Sequence, residues 1–173
     1  MTARILTAAV ALFAATVHAA PVPKDAKPVE HDGGTFRVTF PGKPEATSDT
    51  GEDHLGKFTK TSVGWDGGRV VYGVVVKESE TNFETSYDAD TLAEHYRGNA
   101  RKIGTIEEER VTAVGSDVVA RWLRVREENG THLRALVFVR GNRMYVAVAT
   151  GPDKASVTDK ASDKFFDSLV LTK

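Results

Sequence analysis

The sequence predicts an α+β domain built on a central antiparallel sheet of about six or seven strands, with helices or a long loop against each face. Three observations support this. Residues 118–150 contain three strand-like runs separated by Asn129-Gly130 and Gly141-Asn142, dipeptides that tolerate the positive φ of tight hairpins. Those runs are apolar at successive rather than alternate positions, so both faces of the sheet need cover. Helical periodicity is confined to two stretches inserted among the strands, a pattern of antiparallel α+β folds and not of a doubly wound parallel sheet.

The chain opens with one basic residue, Arg4, an uncharged apolar run over residues 5–17, and small residues at Ala19 and Ala20. This reads as a secretory signal peptide over residues 1–19, too short for a comfortable membrane span, and it directs the chain to the periplasm or the medium. Residues 20–34 hold three prolines, two glycines and several charges and read as an extended, flexible leader. A single domain is then expected over residues 35–172. Its first strand alternates Phe36, Val38 and Phe40 with Thr35, Arg37 and Thr39, and Pro41-Gly42-Lys43-Pro44 stops it. Residues 45–54 read as a polar connector and residues 55–63 as a weakly apolar edge strand. Residues 69–77 are a nearly continuous β-branched run, the mark of a central strand.

Asp88 is the expected cap of the only long helix, in which Ala89, Leu92, Ala93, Tyr96, Ala100 and Ile103 recur at helical spacing. Gly104 ends it in the manner usual for glycine. A strand follows over residues 105–114 with its glutamate run on an exposed stretch, and Gly115-Ser116-Asp117 turns the chain into the three-stranded meander. Two-residue turns would set Arg140 opposite Arg143 and Val137 opposite Val146. On the other side they would set Trp122 opposite Val137, Arg121 opposite Phe138 and Arg134 opposite Val125. A closing helix over about residues 158–169 presents Ser162, Phe165, Phe166 and Leu169 on one face. The order is β-β-β-α-β-β-β-β-α.

The chain has 23 basic and 24 acidic residues and no cysteine. Removal of the signal would take Arg4 alone, leaving 22 basic against 24 acidic residues. A mixed, near-neutral surface argues against a nucleic-acid binder and against a membrane-surface protein. An exported chain without cysteine has no disulfides and depends on its core. His31, His54, His95 and His132 stand at no metal-ligand spacing. Asp88, Asp90 and Glu94 form the carboxylate cluster best suited to a hard cation, although acids at a helix start equally cap amides and complement the dipole. No Gly-x-Ser-x-Gly elbow, cysteine nucleophile or glycine-rich phosphate loop occurs; no catalytic residue and no cofactor is assigned. Asn129-Gly130-Thr131 matches a glycosylation acceptor, a match that the turn alone explains.

The arginines of the meander offer a partner-binding candidate. The expected register puts Arg121 and Arg134 on one face beside Phe138 and Tyr145, a patch for an anion or an acidic partner. Strand arginines also snorkel and pair with nearby acids such as Glu127 or Glu128.

The strand Phe36-Arg37-Val38-Thr39-Phe40-Pro41, the mid-chain helix, the long meander and the aromatic closing helix with Phe165-Phe166-Asp167-Ser168-Leu169 resemble the PsbP-like α/β/α sandwich domains. The resemblance covers residues 34–171. One departure is Gly42-Lys43-Pro44, where many members carry an aromatic residue. The resemblance implies an exported accessory protein that binds other proteins or stabilises assemblies, with no catalytic residue to carry over. A protein-binding or envelope-assembly module is therefore the leading expectation. The second is a carrier holding a small apolar ligand between the sheet and the long helix, walled by Tyr96, Trp122 and Tyr145, which requires a cavity there. The third is a metal-assisted enzyme using Asp88, Asp90 and Glu94.

Overall fold

The computed structural model of the protein describes residues 29–53 and 55–172. The expected signal peptide and most of the leader lie outside the described residues. Ten strands are described: β1 (Val29–Asp32), β2 (Phe36–Phe40), β3 (Glu45–Asp53), β4 (Gly56–Asp66), β5 (Val71–Ser79), β6 (Gly104–Val114), β7 (Val118–Glu127), β8 (His132–Arg140), β9 (Arg143–Gly151) and β10 (Val170–Leu171). The helical segments are α1 (Phe83–Ser86), α2 (Ala89–Ile103), α3 (Lys154–Val157) and α4 (Lys160–Asp167). The fold is α+β, with a seven-stranded antiparallel sheet in the order β3-β4-β5-β9-β8-β7-β6 and a smaller antiparallel sheet in the order β1-β2-β10.

Four elements differ from expectation. Strand β1 falls within the segment read as a flexible leader, where it pairs with β2 and sets His31 opposite Val38. The supposed connector over residues 45–54 contains β3, which makes β4 an inner strand. The reason is that β3 is held by its partner and not by its own apolar content: Thr47, Ser48 and Thr50 face Ser62, Thr61 and Thr59, and Asp49 meets Lys60 at 3.2 Å. Polar cross-strand pairs of this kind suit an edge strand. The Phe36–Phe40 strand belongs to the small sheet. The closing helix, α4, lies within its expected range, but a further short helix, α3, precedes it, and the two are begun by two copies of Asp-Lys-Ala-Ser. Asp153 accepts from the Ser156 amide at 2.8 Å and Asp159 from the Ser162 amide at 2.8 Å, so each copy is an N-cap.

The core has two halves, one on each face of the large sheet. On one face Tyr72, Val74, Trp122, Leu136, Phe138, Tyr145 and Ala147 are covered by Phe36, Val38 and Phe40 of β2 and by Val157, Phe165 and Phe166 of α3 and α4. On the other, Val75, Leu123, Val125, Ala135, Val137, Val146 and Val148 are covered by Phe83 of α1 and Tyr96 and Ala100 of α2. Phe165 is fully buried, with its ring centroid 5.3 Å from Phe40 and 5.1 Å from both Tyr72 and Phe166. The Thr39 amide donates to Ser168 Oγ at 2.8 Å and ties the end of α4 to β2.

The β8–β9 register is as expected: Arg140 faces Arg143, Val139 faces Met144 and Val137 faces Val146, around Gly141 at φ 58. The β7–β8 register differs by one residue. Trp122 faces Leu136, Arg121 faces Val137 and Arg134 faces Arg124. Of Asn129 and Gly130 only the glycine has positive φ, 87, and the Glu127 amide donates to the Thr131 carbonyl at 2.8 Å. The loop is therefore three residues, Glu128-Asn129-Gly130. Asn129 stays out of the left-handed region and uses its side-chain oxygen to accept from the Thr131 amide at 2.8 Å, an Asx turn. A one-residue slip moves every side chain of a strand to the other face relative to its neighbour.

Gly104 ends α2, but at φ 172 it is extended rather than left-handed. Glycine is needed there for space, since a Cβ would stand 2.1 Å from the Arg126 carbonyl oxygen.

Phe165→Ala is expected to destabilise the fold by about 3–5 kcal/mol, because it leaves a cavity where three aromatic rings meet; urea unfolding at equilibrium measures it. Gly130→Ala is expected to cost ~1 kcal/mol or more through its left-handed backbone, without a change in the denaturant slope.

Candidate functional site

The four residues of the expected partner patch do not form one surface. Arg121 lies on the α2 side of the sheet and Arg134 on the other, as their pairings with Val137 and Arg124 require. Phe138 and Tyr145 share the Arg134 face but are buried, with their rings stacked at 4.8 Å and 9°. Arg134 donates through Nη1 to Asp163 at 2.6 Å, and its guanidinium lies 4.5 Å from the Phe166 ring and 5.4 Å from Trp122. It fastens α4 to the sheet.

The glutamate run of β6 is partly exposed, and each of its acids is ion-paired. Arg124 contacts Glu107 at 3.3 Å and Glu108 at 2.7 Å, and Arg126 contacts Glu107 at 3.4 Å. The register shift between Ile106 and Glu108 marks a bulge at Glu107, and bulges re-aim side chains in this way. Arg121 donates to Glu109 at 3.3 Å, and Glu109 also accepts from Arg97 of α2 at 2.7 Å. Glu94 in turn pairs with Arg97 at 2.5 Å and Arg101 at 3.7 Å. Hydrogen bonds to Glu109 and Glu94 raise the Arg97 pKa above its ordinary value.

The acids at the start of α2 do separate work. Asp88 Oδ1 accepts from the Thr91 amide at 2.7 Å, and that bond holds its carboxyl below the ordinary range. Asp90 is exposed in the first turn, and Glu94 is turned to its arginines. Among the described residues no group of three or more His, Cys, Asp or Glu converges as a metal site. His31 sits 6.0 Å from the Phe36 ring and 6.5 Å from Phe40, His95 meets Tyr96 edge-on at 6.3 Å, and His132 Nδ1 stands 3.6 Å from Glu107. His54 lies outside the described residues.

What the structure brings together is a cleft of about 270 Å³ between α1–α2 and the sheet. Leu92, Ala93 and Tyr96 form its helical wall, Val119, Val137 and Val139 its sheet wall, and Glu84, Tyr87, Asp117 and Arg121 its rim. Tyr96 is 5% exposed, and its hydroxyl has no hydrogen-bond partner; burial pushes its pKa up. Of the three expected wall residues only Tyr96 lines this space, because Trp122 and Tyr145 belong to the opposite face. Beside the cleft Val111 and Val119 are 60% and 65% exposed. The β6–β7 pairing sets Val111 opposite Arg121 and Val119 opposite Ala113, all on one face. That strip escapes sequence reasoning, since its signal is visible only once the hairpin around residues 115–117 is laid in register. A second, open groove of about 720 Å³ runs over Thr50, Gly51, Lys57, Phe58, Glu78 and Asn142.

No family model matches the chain, and no curated protein matches it. Among the described residues no helix is long and apolar enough to cross a membrane.

A lowered carboxyl pKa in the folded state contributes stability above the unfolded pKa, and that contribution is lost as pH falls through the folded pKa. Asp88→Ala is therefore expected to lower the melting temperature at neutral pH. The gap from wild type should close as pH falls through the carboxylate range. Thermal melts followed by circular dichroism across that range measure both.

Proposed function

We propose that this protein is an exported, non-catalytic domain of the PsbP-like kind, a protein-binding or envelope-assembly accessory that holds its partner on the strip of β6 and β7 centred on Arg121. The observation that carries the reading is the exposure of Val111, which faces that arginine from β6, and of Val119, two residues before it on β7. Diagonal neighbours across an antiparallel pair stand roughly 7–8 Å apart, so the two valines and the guanidinium are contiguous. An exposed apolar patch with an arginine at its centre is the form a protein contact takes. Glu109 already orients Arg121 at 3.3 Å, which lowers the ordering cost of binding. The layering supports the family resemblance: helices cover one face of the large sheet, and the small sheet with α3 and α4 covers the other.

Affinity capture from an envelope extract, with Val111→Asp and Val170→Asp as variants, tests the proposal. Val170 is a comparably exposed valine on the small sheet. A partner retained by wild type and Val170→Asp, and lost by Val111→Asp with an unchanged circular dichroism spectrum, is the expected result. Equal retention by all three proteins, or retention of nothing by wild type, would sink it.

A further inference from the structure

We propose that the cleft between α2 and the sheet binds a small amphipathic monocarboxylate, its apolar chain between Leu92, Tyr96, Val137 and Val139 and its carboxylate at Arg121. The space of about 270 Å³ lies just under the roughly 300–1,000 Å³ of sites for drug-sized ligands, so the occupant is smaller than those. Both long walls are apolar, which calls for a hydrocarbon body. Two of the polar groups that line it can donate to such a body: the buried Tyr96 hydroxyl, which has no partner, and the Arg121 guanidinium. A buried donor left unmade is costly, and donors select a ligand that brings acceptors. A carboxylate offers two oxygens in the geometry a guanidinium matches.

A guanidinium has five N–H donors, of which Arg121 gives Nη1 to Glu109 at 3.3 Å; the others can serve a second carboxylate. Of the acids on the rim, Asp117 is paired with Arg140 at 2.9 Å, and Glu84 is exposed in the first turn of α1. Exposed Val119 continues the apolar wall outward, so a chain too long for the cleft has a surface to follow. This site is independent of the partner's identity and shares with the partner strip only Arg121 and Val119.

Calorimetric titration of the folded protein with decanoate, and with decanol as its uncharged counterpart, decides the matter. Decanoate is expected to bind saturably at one site. Arg121→Gln should weaken it ~10-fold, the order expected for a lost charge-assisted bond, while decanol binding stays unchanged. Tyr96→Phe should weaken decanoate by a smaller factor. Val139→Trp should abolish both ligands by filling the cleft, and Leu92→Trp serves in its place if Val139→Trp alters the circular dichroism spectrum. Val111→Ser, which removes apolar surface from the strip without adding a charge beside Arg121 and does not line the cleft, should bind decanoate like wild type, so the two proposals fail separately. Absence of saturable decanoate binding by wild type, or wild-type affinity in either Arg121→Gln or the filled-cleft variant, would overturn the assignment.

Discussion

The constraint on which the rest of the structure depends is that β5, β9 and β8 are apolar on both faces. A sheet of that kind is stable only when both faces are removed from water, and each large side chain buried there contributes roughly 1.5–3 kcal/mol. The chain meets the demand by leaving the sheet twice. After β5 it sends α1 and α2 over the Val75–Val146–Val137 face; after β9 it sends α3, α4 and β10 over the Tyr72–Phe138–Tyr145 face, where β2 already lies. With no cysteine in the sequence, this double cover does the work that disulfides do in many exported domains.

The same burial explains the ionic architecture. Arg124 and Arg134 are side by side on one face and nearly inaccessible, so each needs its own acid. Glu107 and Glu108 serve Arg124, and Asp163 serves Arg134. Loss of one member of a buried pair is costlier than absence of both, because an uncompensated charge remains. The bulge at Glu107 and the stacking of Arg134 on Phe166 are thus parts of the packing. On the opposite face the ladder continues as Arg121–Glu109–Arg97, which joins sheet to helix beside the cleft.

Class and the long helix were legible because they rest on local signals: the β-branched run of residues 69–77, the i, i+3, i+4 stripe from Ala89 to Ile103, and the Asp88 cap; the large sheet has seven strands because β3 stands where the Phe36–Phe40 strand was expected. Strand β3 was not legible, because its stability lies in pairs with β4 rather than in its own residues. The β7–β8 register failed on one dihedral angle, since Asn129-Gly130 supports a two-residue turn as readily as the tail of a three-residue one. That single residue separated Arg121 from Arg134 and dissolved the expected patch. The glutamates of β6 and the arginines of β7 were more informative than the turn. Laid around residues 115–117 they align Glu108 with Arg124, and their alternation marks which face is which.

The smaller sheet has a consequence for how the molecule is assembled in time. Strand β2 is bordered by β1, a near neighbour in sequence, and by β10, from which it is separated by almost the whole domain. The Thr39–Ser168 bond spans 129 positions and the Thr172–Gly34 bond 138. Contacts of such separation slow folding, since the loop must close before they return any energy. Until α4 and β10 have emerged from synthesis, the face bearing Tyr72, Phe138 and Tyr145 has only part of its cover. That face is complete only with β9, and its cover closes when the last turn of α4 brings in Phe165 and Phe166.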